Sequence, residues 1–143
     1  MTGIVVGVDG SENSLEALRW AASEARLRAL PLRVVGAFTS PVMASGYEVA
    51  APDPEELHSA SSAMLNAAVE SVGADGSLDG VECVAEVLEG HPGERLIALS
   101  ADADLLVVGS RGHGGFMGLM MGSVTTYCVH HAVCPVVVVR HRD

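Results

Sequence analysis

The glycine run from Gly109 to Gly122 is the part of the sequence best suited to chemistry. Gly109-Ser110-Arg111-Gly112 is followed by nine residues and then by Gly122-Ser123. Glycines stand at 109, 112, 114, 115, 118 and 122. With no Cβ atoms in the way, the backbone N–H groups of such a loop can converge on an anion. Gly122-Ser123 then reads as the start of a helix, whose first N–H groups and dipole favour a phosphate. On this reading the Ser123 and Thr125 hydroxyls add donors and Arg111 adds positive charge at the rim. His113 lies inside the loop, facing either phosphate or solvent. The spacing is not that of the phosphate loop ending in a lysine, nor of GxGxxG after the first strand. A glycine-rich surface loop with no ligand is the alternative.

Asp9 is the second candidate. It follows the apolar run Ile4–Val8 and precedes Gly10-Ser11. Its carboxylate could accept hydrogen bonds from a base amino group or ribose hydroxyls, or it could cap the next helix. Other chemistries find little footing. No HxH, HExxH or paired Cys/His spacing proposes a transition metal. Asp9 has no second acid beside it, so magnesium would have to arrive with a bound nucleotide. There is no GxSxG elbow. All eight basic residues are arginines, which excludes Schiff-base and kinase-type lysine chemistry.

Charge narrows the partners. The net charge is −10, which argues against nucleic acid and anionic membrane as partners, since both are bound by basic patches. It is uneven: residues 48–104 hold most of the acids, while the segment from 105 onward is net positive. That last segment is the one suited to an anion. Cys83, Cys128 and Cys134 are scattered and odd in number, as in a reduced cytoplasmic protein. No basic-then-apolar leader and no apolar run of about 20 residues is present.

The elements that must hold these residues follow from pattern. At 143 residues the chain fits one domain, residues 1–143. Apolar residues make up 49% and aromatic ones only 3%, so the core must be aliphatic, as in a buried parallel sheet. Ile4–Val8, Leu32–Phe38, Val81–Leu88, Asp104–Gly109 and Pro135–Val139 read as strands, the third with one wetter face. Helices are expected at Ser11–Leu30, Glu55–Val72, from Pro92 to about Asp102, and at Ser123–Ala132. Pro31 should end the first of them. Thr39–Pro54, with Pro41, Gly46, Pro52 and Pro54, reads as a loop. Strands alternating with helices imply an α/β fold, a three-layer doubly wound parallel sheet. Ligands of such sheets sit beyond the carboxyl ends of the strands, where Asp9 and Gly109 both fall.

At this point the sequence resembles a known family. Ile4-Val5-Val6-Gly7-Val8-Asp9-Gly10-Ser11, Ala103–Gly115, Gly112-(nine residues)-Gly122-Ser123-Val124-Thr125 and His131…Cys134-Pro135-Val136 together look like a single-domain universal stress protein of the ATP-binding branch. The arginine-rich, lysine-free first helix is similar to actinobacterial versions. The resemblance implies a flavodoxin-like sheet of order 3-2-1-4-5 and a cytoplasmic homodimer formed through Val136, Val137, Val138 and Val139. It implies ATP as ligand, with Mg carried by the nucleotide. Gly7, Val8 and Asp9 would flank base and ribose, and Ala37 would meet adenine. Val108, Gly109, Gly112, Gly122, Ser123, Val124 and Thr125 would hold ribose and phosphates. Glu12 and Gly36 depart from the common pattern, Gly36 in a way expected to loosen the end of the second strand.

Three functions are then in view. A nucleotide-binding stress-response regulator fits a site with no evident catalytic apparatus, and cyclic AMP or AMP is its variant ligand. A slow ATPase would need a water-positioning base, for which Glu12 and His113 are the candidates. A phosphoacceptor receiver would need an acidic pair and a lysine that the sequence lacks.

Overall fold

Consecutive aliphatic residues form the strands because a central parallel strand is buried on both faces. The computed structural model describes residues 3–39, 53–112 and 121–141. Its elements run β1 (Ile4–Gly7), α1 (Glu12–Arg28), β2 (Leu32–Phe38), α2 (Pro54–Gly73), β3 (Cys83–Glu89), α3 (Pro92–Ser100), β4 (Leu105–Gly109), α4 (Ser123–His131) and β5 (Val136–Val139). The five strands form one parallel sheet in the order β3-β2-β1-β4-β5. Both the fold class and the strand order are those expected.

Alternate residues of each strand feed two cores. Ile4, Val6, Leu32, Val34, Leu105 and Val107 point to α1 and α2. Val5, Val35, Leu106 and Val108 point to the other face, where Leu96 of α3 and Cys128 of α4 close over them. The inward face of α1 is built from Ala17, Ala21, Ala22 and Ala25 around Leu18, all essentially buried. Those small side chains let the helix lie close on β1 and β4.

Some boundaries differ for local reasons. The first helix stops at Arg28, short of Pro31. Ala29 turns left-handed with φ 55°, and Leu30 N–H donates to Ala25 O at 2.9 Å. This is the six-to-one closure of a Schellman end. Gly36 does not loosen β2, which pairs with β3 through Phe38↔Glu89. The wetter face expected of the third strand is present at Val84, which is 57% exposed. Most of the expected loop 39–54 lies outside the described residues, but its end, Asp53-Pro54, caps and opens α2. Among the described residues no helix is long and apolar enough to cross a membrane.

Candidate functional site

In the order 3-2-1-4-5 the chain leaves β1 in one direction and β4 in the other. The crevice beyond these two neighbouring strand ends is where open α/β sheets place ligands. A cavity of about 450 Å³ lies there. Gly7, Val8 and Asp9 reach it from the end of β1, and Ala37 from β2. Val108 and Gly109 reach it from β4, followed by Arg111 and Gly112. Gly122, Ser123, Val124 and Thr125 close it from the start of α4. The structure therefore gathers these sequence-predicted residues around one space, while His113 lies outside the described residues.

The cavity lining is of two kinds. Val8, Val35, Ala37, Leu96 and Val108 make an apolar wall. Gly109, Gly112 and Gly122 add lining without side chains, and Arg111 and Asp9 are the charged side chains among the described lining residues. Ser14, Val35, Pro92, Leu96 and Met121 also line the space, and sequence reasoning did not name them as site residues. Their one signal was position: Val35 and Leu96 belong to apolar runs, and Pro92 starts a helix.

Asp9 is shaped by the turn that follows it. Gly10 takes φ 88°, a value only glycine adopts freely. Asp9 Oδ1 then accepts Ser11 N–H at 2.9 Å and the Ser11 hydroxyl at 2.6 Å. The helix cap is Ser11, whose side chain accepts Ser14 N–H at 3.2 Å, so Asp9 does not cap α1. Its other oxygen faces the glycine loop: a Cβ added at Gly112 would lie 2.5 Å from Asp9 Oδ2.

The cap of α4 is unlike those of the other described helices. Ser11, Asp53 and His91 each offer a side-chain acceptor to the first turn of their helix. At α4 the cap is Gly122, with no side-chain bond. Gly122 N–H donates to Ser110 O at 2.8 Å, and Thr126 N–H is the first to reach back, to Gly122 O at 3.0 Å. The N–H groups of Ser123, Val124 and Thr125 thus open the helix at the cavity with no cap side chain over them. That is the arrangement that receives a phosphate or carboxylate.

One expectation about an individual residue needs revision. The Thr125 hydroxyl is buried and donates to Gly109 O at 2.5 Å, so it fastens α4 to β4 rather than serving as a ligand donor. Gly7 keeps its expected place in the lining, where an added Cβ would lie 2.9 Å from the flexible end of Leu96 at Cδ1. His131 is exposed and its ring rests against Tyr127, centroids 4.5 Å apart. The cysteines are unbridged, and burial pushes the Cys128 thiol up to about 11. No group of three or more His, Cys, Asp or Glu side chains could hold a metal among the described residues.

A sequence profile of the universal stress protein family matches residues 1–140. Universal stress protein Rv2623 of Mycobacterium tuberculosis is 36% identical over 146 aligned residues, covering 99% of this chain and 48% of its own. The chain thus spans about half the length of the mycobacterial relatives it matches. Among solved structures, UspA of Lactobacillus plantarum aligns with TM-score 0.78 at 27% identity, covering 97% of each chain. A universal stress protein in complex with cAMP aligns with TM-score 0.68 at 25% identity, over 96% of this chain and 95% of that one. The Archaeoglobus fulgidus universal stress protein in complex with dAMP aligns with TM-score 0.69 at 26% identity, over 97% and 98%.

Proposed function

Because the chain belongs to the universal stress protein family, we propose that it is a nucleotide-binding regulatory protein that holds ATP in the cavity between β1 and β4. The carrying observation is that an apolar wall and an uncapped helix start line one cavity of about 450 Å³. A flat base suits the wall at Val8, Val35 and Ala37. Phosphates suit the N–H groups of Ser123 and Val124, with Arg111 beside them. Magnesium would enter on the triphosphate, because Asp9 is the lone carboxylate among the described lining residues and a protein-held site needs several oxygens. On this reading the protein acts as a single-domain homodimer in the cytoplasm, through β5, and signals by occupancy rather than turnover.

The test is to denature freshly purified protein, identify released nucleotide by mass spectrometry, and titrate emptied protein with ATP, AMP and cyclic AMP by calorimetry. Bound or tightly binding ATP is expected. An emptied protein that ignores all three would sink the reading. The complexes of two structural neighbours with cAMP and dAMP favour a mononucleotide as the second reading, and a clear preference for AMP or cyclic AMP would adopt it. ATP turnover lost in Glu12→Gln or His113→Ala would make the protein a slow ATPase instead.

A further inference from the structure

The floor of the glycine loop is held by a side chain absent from the cavity lining. We infer that Asn13 is a positioning residue for the loop: its buried amide fixes residues 109–111 before any phosphate arrives. The inference rests on the nucleotide reading of the cavity. Asn13 is only 4% exposed. Its Oδ1 accepts Arg111 N–H at 2.8 Å and the Ser110 hydroxyl at 3.0 Å. Its Nδ2 donates to Val139 O at 3.0 Å, with Glu16 Oε1 at 3.5 Å. These partners fix which way the amide faces, since a flipped group would set N–H against N–H and oxygen against oxygen.

The same side chain forms a steric floor. A Cβ at Gly109 would lie 2.9 Å from Asn13 Cγ. Three further backbone groups of the stretch are also engaged. Ser110 N–H donates to Val139 O at 2.9 Å, Ser110 O accepts Gly122 N–H at 2.8 Å, and Gly109 O accepts Thr125. Arg111 N–H is therefore committed to Asn13, and the donors left for an anion begin with Gly112 and the first turn of α4. Glycine-flanked backbone loses more freedom on ordering than any other. With Asn13 in place that cost falls on folding; without it the cost falls on ligand binding and lowers affinity.

The consequence is selective. Asn13 is not among the described lining residues of the cavity, so its loss should weaken binding of the phosphates and leave the nucleoside alone. The experiment measures ATP and adenosine affinities by calorimetry, and amide hydrogen exchange at Arg111 in unliganded protein, for wild type, Asn13→Ala, Asn13→Asp and Ser110→Ala. In Asn13→Ala the ATP-to-adenosine affinity ratio should fall about tenfold, the worth of a buried hydrogen-bond pair, and Arg111 should exchange faster. Asn13→Asp keeps the acceptor but sets an oxygen against Val139 O and Glu16, so Arg111 should keep more protection than in Asn13→Ala and less than in wild type. Ser110→Ala should lower the ratio about threefold, and added to Asn13→Ala it should lower it no further.

If Asn13→Ala does not fold, the Asp and Ser110 variants carry the decision. Unchanged exchange at Arg111, or equal losses for ATP and adenosine, overturns the inference and leaves Asn13 a packing residue. Wild-type protein that binds neither ligand overturns the nucleotide reading but not the fixing of the loop by Asn13. That outcome is told apart because exchange at Arg111 still responds to Asn13→Ala.

Discussion

Gly112 and Gly122 look alike in the sequence but face different surroundings. A methyl group at Gly112 would press on the Asp9 carboxylate, 2.5 Å from Oδ2. At Gly122 the nearest atoms to an added Cβ are 3.6 Å away, an ordinary contact, and φ is −65°. Gly112→Ala should therefore displace Asp9 and lower nucleotide affinity by about tenfold, and Asp9→Ala in the same chain should recover part of the steric loss. Gly122→Ala should leave the thermal midpoint of the empty protein unchanged. Calorimetry with thermal melts of the four chains checks both statements, and a Gly112→Ala protein with wild-type affinity would refute the first. Sequence alone showed these glycines as one motif. It could not show that Gly112 yields to a carboxylate from β1, because that carboxylate is a hundred residues away along the chain. Asn13 was hidden for the same reason. Its sequence neighbours say nothing of its partners, Ser110 just after β4 and Val139 at the end of β5.

Elements were more legible than their connections. Five short aliphatic runs became five strands, since a run of valines has few other ways to bury both faces. Turn ends shifted by a few residues wherever hydrogen bonding outweighed the obvious breaker, as at Ala29 ahead of Pro31. α4 shows how an element serves the site from behind. It is fastened by the Thr125 bond to Gly109 on one side and by Cys128, fully buried against Val5 and Val108, beneath. Burial raises the Cys128 thiol from 9.0 to about 11. Between those values the unfolded chain has given up its proton and the folded one has not, so stability falls as pH rises from about 9 to about 11. Urea unfolding of wild type and Cys128→Ala across that range should show the wild-type advantage shrinking by about 2 kcal/mol. Parallel curves would mean that Cys128 does not carry the effect.

The whole molecule presents two unlike sheet edges. β3 carries Glu86 and Glu89, with Glu82 just ahead of it, and Glu86 pairs with Arg33 at 2.6 Å. β5 is four half-buried valines, and Val129 and Val133, shortly before it in the chain, are 46% and 74% exposed. Charged edges resist pairing and bare apolar ones invite it. Light scattering should therefore give twice the 14.7 kDa chain mass. Val138→Glu should give monomer with its helical circular dichroism kept, and a dimer that survives would move the interface elsewhere. The carbonyl of Val139 has a further consequence. It accepts both Ser110 N–H and the Asn13 amide, so the loop after the fourth strand gains its final shape only when the fifth has docked. During synthesis β5 is the last strand of this domain to emerge. A partly made chain has no finished pocket, so on the proposed reading nucleotide capture would be the final event in the maturation of the domain.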